Sequence, residues 1–248
     1  GIASPFWYKQ LPLETLTVAV EGTKHMLGLA KQYGARFLFT SSSEVYQTAS
    51  ITPTPESYVG AVPTDTDRSC YDVSKLMAET LCYVYATKCH VHATVVRIFN
   101  SFGAGMAQSD RRILTRIADA VKHNKQVLVY GTDIAALPRR TYTPVANTLR
   151  GVLYAAAHGL PFSGGAQGVY NIGSESPELT VPELVDMVHA VTGLPTSYMH
   201  CAPPVEYHTE PLRRCPDISA LRALGYTEAM GLSEGLQSFF NWSQQVYV

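Results

Sequence analysis

Apolar residues recur at helical spacing between Pro12 and Tyr33, where Leu13, Leu16, Val20, Leu27 and Ala30 predict an amphipathic helix stopped by Gly34. The run that follows, Ala35 to Ser42 (ARFLFTSS), is short and apolar, as suits a buried parallel strand. Residues 47–69 are rich in Thr, Pro, Asp and Ser and read as a long loop, which in a compact domain is often functional. A helix is then expected from Tyr71 to about Lys88 and a strand over His92 to Phe99 (HATVVRIF). The pattern continues with a helix at 111–123, a strand at Gln126 to Tyr130, a helix at 144–158, a strand at Gly168 to Ile172 and a helix at 181–192. Two short helices near 217–224 and 232–246 close it. Helices alternating with strands predict an α/β fold built on a mostly parallel sheet.

The opening of the chain departs from that scheme. Gly1 begins in a loop that runs straight into a helix, with no strand before it. No Gly-x-Gly-x-x-Gly or Gly-x-x-Gly-x-x-Gly follows a first strand, so the usual phosphate cradle for a dinucleotide is not encoded in these residues. The expectation is a fragment, or a sheet that folds incomplete.

Composition narrows the function classes. The 248 residues are 46% hydrophobic and 16% charged, enough for a large core as one lobed domain or two modest ones. Nineteen basic against twenty acidic residues leave a net charge of −1, without the basic excess or stripe of a nucleic-acid binder. No run of eighteen apolar residues occurs, so no membrane segment is expected in this chain, and no signal peptide opens it. Five cysteines at 70, 82, 89, 201 and 215 lack paired spacing, which favours reduced thiols in a cytoplasmic compartment.

The candidate chemistry starts with Tyr71 and Lys75, one turn apart on a single helix face, after a strand that ends in Ser41-Ser42-Ser43-Glu44. A phenol ordinarily titrates near 10, and an adjacent ammonium favours its ionised form, so Lys75 is expected to acidify Tyr71. With a serine hydroxyl to hold the substrate oxygen, such a trio suits proton transfer on an alcohol or ketone. A Tyr-x-x-x-Lys pair arises by chance at roughly 0.4 per chain of this composition, so order and context carry the reading.

That context is SSSEVY (Ser41 to Tyr46), PESYVG (Pro55 to Gly60), RSCYDVSK (Arg68 to Lys75), RIFNSFG (Arg97 to Gly103), then VYG, YNIG and RRCPDI (Arg213 to Ile218). In combination these motifs resemble the extended short-chain dehydrogenase/reductase (NAD-dependent epimerase/dehydratase) family, most of all its UDP-glucuronic acid decarboxylases. The resemblance covers nearly all of the chain. It implies an incomplete Rossmann-like doubly wound parallel sheet with a small C-terminal α/β substrate lobe. Residues 1–103, with 143–172, would form the remainder of the NAD-binding domain. Residues 104–142 and 173–248 would form the substrate lobe.

The resemblance also implies roles. Tyr71 stands as the catalytic tyrosine, with Lys75 as its partner on the nicotinamide ribose. Ser42 holds the sugar hydroxyl, and Glu44 matches the acidic residue of decarboxylases and dehydratases. Ala3, Ser4 and Phe99 fall on the NAD side. Tyr58, Arg68, Asn100, Arg112, Arg140 and Arg214 fall on the UDP-sugar side. The implied reaction is oxidation at the sugar 4-hydroxyl, loss of carbon dioxide from the resulting beta-keto acid, and return of the hydride to give UDP-xylose. A homodimer built on the helices at 12–33 and 70–88 is expected by the same likeness.

Several positions depart from the family pattern: Ala19 for a helix asparagine, Ala104-Gly105 for Pro-Arg, Val73-Ser74 and Leu76 within the catalytic helix, and Pro144 for a tyrosine. With no phosphate cradle in its residues, this chain alone is expected to bind NAD weakly. Nucleotide-sugar 4,6-dehydratase and 4-epimerase activities remain open, as does an inactive paralogue that serves as a binding or dimerisation module. Asn100 could simply cap a turn, Arg140 and Arg214 could lie on the surface, and Glu44 could be a solvated loop carboxylate. His90 and His92 lack companions and read as structural rather than as metal ligands, and the cysteines read as core residues.

Overall fold

The computed structural model describes residues 1–162, 167–203 and 211–248. A short helix α1 (Pro5–Gln10) turns into the long α2 (Pro12–Tyr33). Gly34 ends α2 at φ 62, a left-handed value that costs glycine little. The first strand β1 (Phe37–Ser42) leads through one turn of 3₁₀ helix (Ser43–Tyr46) and the predicted long loop into α3 (Ser69–Cys89). Then follow β2 (Ala93–Ile98), β3 (Ser101–Phe102), α4 (Ile113–Lys122), β4 (Val127–Tyr130), β5 (Arg139–Arg140) and β6 (Thr143–Pro144). The rest comprises α5 (Val145–His158), β7 (Val169–Ile172), α6 (Val181–Thr192), β8 (Tyr198–Cys201), β9 (Arg213–Arg214), α7 (Ser219–Ala223) and α8 (Leu232–Val246).

The central sheet has the order β1-β2-β7, all parallel, with Ser42 beside Ile98 and Ile98 beside Ile172. Its strands are apolar through most of their length because helices cover both faces, as in a doubly wound fold. On one face α2 and α3 pack Leu27, Ala78 and Cys82 against Phe39, Ala93 and Val95. On the other, α5 and α7 bring Ala155, Ile218 and Leu221 against Val96 and Ile172. A second core joins α4, α6 and α8 to β4 through Leu114, Ile117, Val127, Leu184, Val188, Leu236, Phe239 and Phe240. There β4 pairs with β8 in parallel.

The two cores suggest the lobe division, and we propose it with one change from the sequence-based boundary. Ile218, Leu221 and Tyr226 pack with the central sheet, so the segment around α7 belongs to the sheet body rather than to the lobe at 173–248. Residues 163–166 and 204–210, which fall within the expected division, lie outside the described residues. The expected helices and strands occur with ends shifted by a few residues. The additions include α1, the four-residue β8, whose mixed sequence YMHC carries no apolar run, and the two-residue strands β3, β5, β6 and β9, which are too brief to leave a periodic signal.

Two of those short strands matter for the site. β5 pairs with β9 so that Arg140 and Arg214 stand side by side. The protein backbone thus sets two guanidinium groups in register across 74 residues of chain, from residue 140 to residue 214. Among the described residues no helix is long and apolar enough to cross a membrane, and no group of three or more His, Cys, Asp or Glu side chains could hold a metal ion.

Candidate active site

A cleft of about 820 Å³ opens at the carboxyl ends of β1 and β2, within the size range of ligand pockets. This is where an open parallel sheet offers its strand ends to a ligand. The cleft is lined by Ser42 and Glu44 after β1, Tyr71 and Lys75 on α3, Asn100 after β2, and Arg68, Arg112, Arg140 and Arg214. Ala3 and Pro5 close one side, and Gly103 to Ala107 another.

Tyr71 is buried, lines the cleft together with Ser42 and is stacked on Tyr8 with ring centroids 5.0 Å apart. Ser42 Oγ also accepts the backbone N–H of Glu44 at 3.3 Å, which fixes the first turn after the strand. Lys75, 8% exposed, donates to the Thr40 carbonyl at 2.8 Å, and its ammonium lies 4.9 Å from the Phe39 ring centroid and 5.6 Å from that of Tyr71. The two side chains therefore meet in one cleft, as the helical spacing predicts.

Their electrostatics correct the sequence reading. Burial pushes the Tyr71 phenol up to about 12, with the Glu44 and Asp72 charges adding to it and the Ser42 hydroxyl and Arg112 opposing. Lys75 does not act as the acidifying partner in this state: burial lowers its own ammonium to about 8. Desolvation outweighs the cation because α3 buries both groups against β1.

Glu44 is the electrostatic centre. Its carboxylate is ion-paired with both Arg68 and Arg214, while its side chain keeps 22% exposure toward the cleft. Burial alone would raise its pKa, yet Arg214, Arg68 and, more weakly, Arg140 hold it down at about 2. The reading of Glu44 as a solvated loop carboxylate is thereby set aside. Arg214 is 4% exposed and donates to Ser43 Oγ at 3.2 Å, and its Nη2 is buried without a hydrogen-bond partner among the described residues. It is no surface arginine. Arg140 lines the cleft and donates an N–H to the Arg139 carbonyl at 2.9 Å.

Asn100 sits at φ 38, donates to the Thr141 carbonyl at 2.8 Å, and lines the cleft. Arg112 faces the cleft with its fork on Asp110, at 2.6 and 2.9 Å. Three expected residues stand elsewhere. Phe99 is 1% exposed and packs with Val45 and Tyr46 in a small core, because its side chain falls on the opposite side of the strand end from Asn100. Tyr58 lies on the long loop against Tyr46, where its hydroxyl accepts the Ser50 N–H at 3.2 Å. Ser4 is buried, with its hydroxyl on the Asp110 carbonyl at 2.6 Å, so it ties α1 to the loop before α4 rather than lining the cleft beside Ala3.

Sequence reasoning passed over Tyr8, which stacks on Tyr71, and Asp72, the next residue of α3, which lies 3.7 Å from Arg68. Position alone could have flagged Asp72, the residue after the tyrosine. Nothing in the sequence pointed to Tyr8. His92 meets Arg36 at 2.9 Å and the Gly159 carbonyl at 3.2 Å, in keeping with a structural role. Of the cysteines, Cys82 and Cys215 are buried and Cys70, Cys89 and Cys201 partly so, all with free thiols.

Comparison with known proteins follows the same lines. The sequence profile described as the NAD dependent epimerase/dehydratase family matches residues 1–173. UDP-glucuronic acid decarboxylase 1 of Danio rerio is 34% identical over 235 residues, a match that covers 94% of this chain and 53% of that protein. UDP-glucuronic acid decarboxylase 3 of Arabidopsis thaliana is 35% identical over 243 residues, covering 94% and 65%. The chain thus spans about half to two-thirds of the length of these curated relatives. Among solved structures, UDP-glucose 4-epimerase of Thermotoga maritima superposes with a TM-score of 0.84 at 20% identity, over 98% of this chain and 74% of that one. UDP-glucuronic acid 4-epimerase of Bacillus cereus, in complex with UDP-glucuronic acid and NAD, gives 0.73 at 24% identity, over 94% and 69%. At such identities these structures show a shared Rossmann-type fold.

Proposed function

We propose, because the chain belongs to the NAD-dependent epimerase/dehydratase family, that its cleft takes NAD and a UDP-sugar, and that the sugar is glucuronate, decarboxylated to xylose. What carries the reading is one arrangement. Glu44 is gripped by Arg68 and Arg214 in the same cleft that Tyr71 and Ser42 line. Anion-binding groups and a proton-transfer pair thus face one substrate space.

Lys75 is a buried cation beside Tyr71, and Gly1 and Ala3, which carry little or no side chain, line the same cleft, so these residues suit the nicotinamide-ribose end. Lys75 and Tyr71, with Ala3 along the wall, would hold that end. The chemistry NAD supplies when bound is reversible acceptance of a hydride at a ring carbon, together with a cationic ring that favours a phenolate nearby.

The chain's own residues account for the rest. Ser42 holds the sugar 4-hydroxyl against Tyr71, whose phenol exchanges the hydroxyl proton. Oxidation there places a ketone beta to the carboxylate. Loss of carbon dioxide then leaves its electron pair in an enolate, which a proton at carbon 5 quenches; return of the hydride to carbon 4, with the proton held by Tyr71 going back to the oxygen, gives the pentose. Arg214, with one buried N–H group uncommitted among the described residues, and Arg68 orient the carboxylate by charge-assisted hydrogen bonds. Glu44, held near 2, has no proton to give at neutral pH. Its part is to aim Arg214 and Arg68 and to orient the water that delivers the proton. Arg112 and Asn100, farther along the cleft, face the nucleotide diphosphate.

The test is incubation with NAD and UDP-glucuronate, with product analysis for UDP-pentose and released carbon dioxide. A UDP-hexuronate epimer without carbon dioxide would overturn the decarboxylase reading in favour of a 4-epimerase, the activity named for the Bacillus cereus neighbour. The homodimer is likewise a proposal. Its support is the exposed apolar residues Leu13, Leu16, Met26 and Leu29 on α2 and Met77 and Tyr83 on α3, and a monomer by sedimentation would refute it.

A further inference from the structure

Asp72 follows Tyr71 on α3 and is 1% exposed. Its Oδ2 accepts an N–H from the Gln47 side chain and lies 3.7 Å from Arg68 Nε. Its Oδ1 is buried with no hydrogen-bond partner among the described residues. Arg68 is therefore shared: one edge of its guanidinium meets Glu44 and another faces Asp72. Arg214 belongs to Glu44 as well.

Two carboxyl groups around one cation do not ionise independently. Glu44, with two guanidinium partners, takes the negative charge. Burial first, then the charge on Glu44, pushes the Asp72 carboxyl up to about 7 against the pull of Arg68, Arg214 and the Gln47 hydrogen bond. The groups that face it are Glu44 from the 3₁₀ turn, Arg68 ahead of α3, Arg214 from β9, and Cys70 and Tyr71 on its own helix.

The charge count gives the consequence. Glu44, Arg68 and Arg214 sum to one positive charge. An ionised Asp72 cancels it, and a neutral Asp72 leaves it facing the cleft. We propose that Asp72 is a positioning residue for an anionic sugar: by sharing Arg68 with Glu44, its buried carboxyl sets the charge that Arg68 and Arg214 offer to a substrate carboxylate. This rests on the UDP-sugar reading of the cleft and adds to it a reason for discrimination between charged and uncharged sugars.

The test compares the wild-type chain with Asp72→Asn by titration calorimetry, using UDP-glucuronate and UDP-glucose at pH 5.5 and 8.5. Wild-type affinity for UDP-glucuronate is expected to fall by about fivefold between the two pH values, on the scale of one screened charge, while that for UDP-glucose stays level. Asp72→Asn should hold UDP-glucuronate at pH 8.5 as tightly as at pH 5.5. An unchanged pH dependence, or an equal effect on both sugars, would overturn the proposal. A ligand-free arm follows the melting temperature. Because folding raises the Asp72 pKa, its stability contribution is intact below the unfolded value and lost as pH rises through about 7. Wild type should therefore lose stability relative to Asp72→Asn from pH 5.5 to 8.5. Parallel curves with intact sugar binding would sink the Asp72 assignment alone, whereas failure of both sugars to bind wild type would sink the functional reading and the role built on it. Should Asp72→Asn not fold, the wild-type titrations decide: equal pH profiles for the two sugars overturn the proposal.

Discussion

Replacing Arg214 by Met tests the electrostatic core of the cleft. Arg214 pairs with Glu44 and donates to Ser43 Oγ at 3.2 Å. The drop of the Glu44 pKa from its usual 4.5 to about 2 corresponds to about 3 kcal/mol of net favourable interaction with the ionised carboxylate. Because folding depresses this pKa, that stability is present above pH 4.5 and is lost as pH falls toward 2. With Arg214 gone, Arg68 and the weaker pull of Arg140 must offset burial, and the expected cost is about 2–4 kcal/mol at pH 7. In a Glu44→Gln background there is no carboxylate to abandon. The same substitution should then cost about 1 kcal/mol, mostly the Ser43 hydrogen bond and packing. Urea denaturation of the four proteins at pH 7 yields the coupling energy, expected at about 2 kcal/mol. Repetition at pH 4 should shrink the Arg214→Met deficit, since a protonated Glu44 needs no counterion. Additive costs, with a deficit equal at both pH values, would refute the reasoning.

Three further outcomes follow from the same geometry. Tyr71→Phe should cut UDP-pentose formation by at least about a hundredfold with UDP-sugar binding kept, and survival of more than a tenth of the rate would rule out its proton-transfer role. Lys75→Met removes a buried ammonium whose pKa burial lowers to about 8; a charge disfavoured by the fold costs stability below that pH and none above its usual 10.5. The variant should therefore be about 1–2 kcal/mol more stable at pH 7, with the gain gone by pH 10.5, yet inactive; lower stability at pH 7 would contradict this. Gly60→Ala would set a Cβ 2.2 Å from the Val45 carbonyl oxygen and 2.8 Å from Tyr46 Cα. Backbone has to move, and a loss of about 2 kcal/mol, read as a lower midpoint in thermal melting, is expected.

The elements of the fold were legible where periodicity ran long enough. The periodic run from Leu13 to Ala30 and the VVRI core of β2 declare a helix and a covered strand, and in the fold Leu27, Ala30, Val95 and Val96 are buried while Leu13 and Leu16 stay exposed. The two-residue strands carry no such pattern, yet β5 and β9 align Arg140 with Arg214, so the decisive register was invisible in the chain. For the site, helical spacing placed Tyr71 and Lys75 in one cleft, and motif context brought in Ser42, Glu44 and Arg214. What spacing could not supply was environment. It led to an acidified phenol where burial dominates, and it put Phe99 and Tyr58 on the cleft when both pack around Tyr46. Whether a cation or desolvation wins depends on contacts from distant segments, and a linear reading does not weigh those.

The reach of Arg214 back to Ser43, across a separation of 171 residues, has a consequence for biogenesis. At roughly 5–20 residues per second, a ribosome needs roughly ten to thirty seconds between emitting the one and the other. Throughout that interval the β1 turn has been synthesised and Glu44 has Arg68 within reach, but its second countercharge is still missing. The wall of the pocket at Glu44 is therefore completed only after Arg214 has emerged, and a stalled or clipped product that stops short of Arg214 would carry β1 and β2 without it.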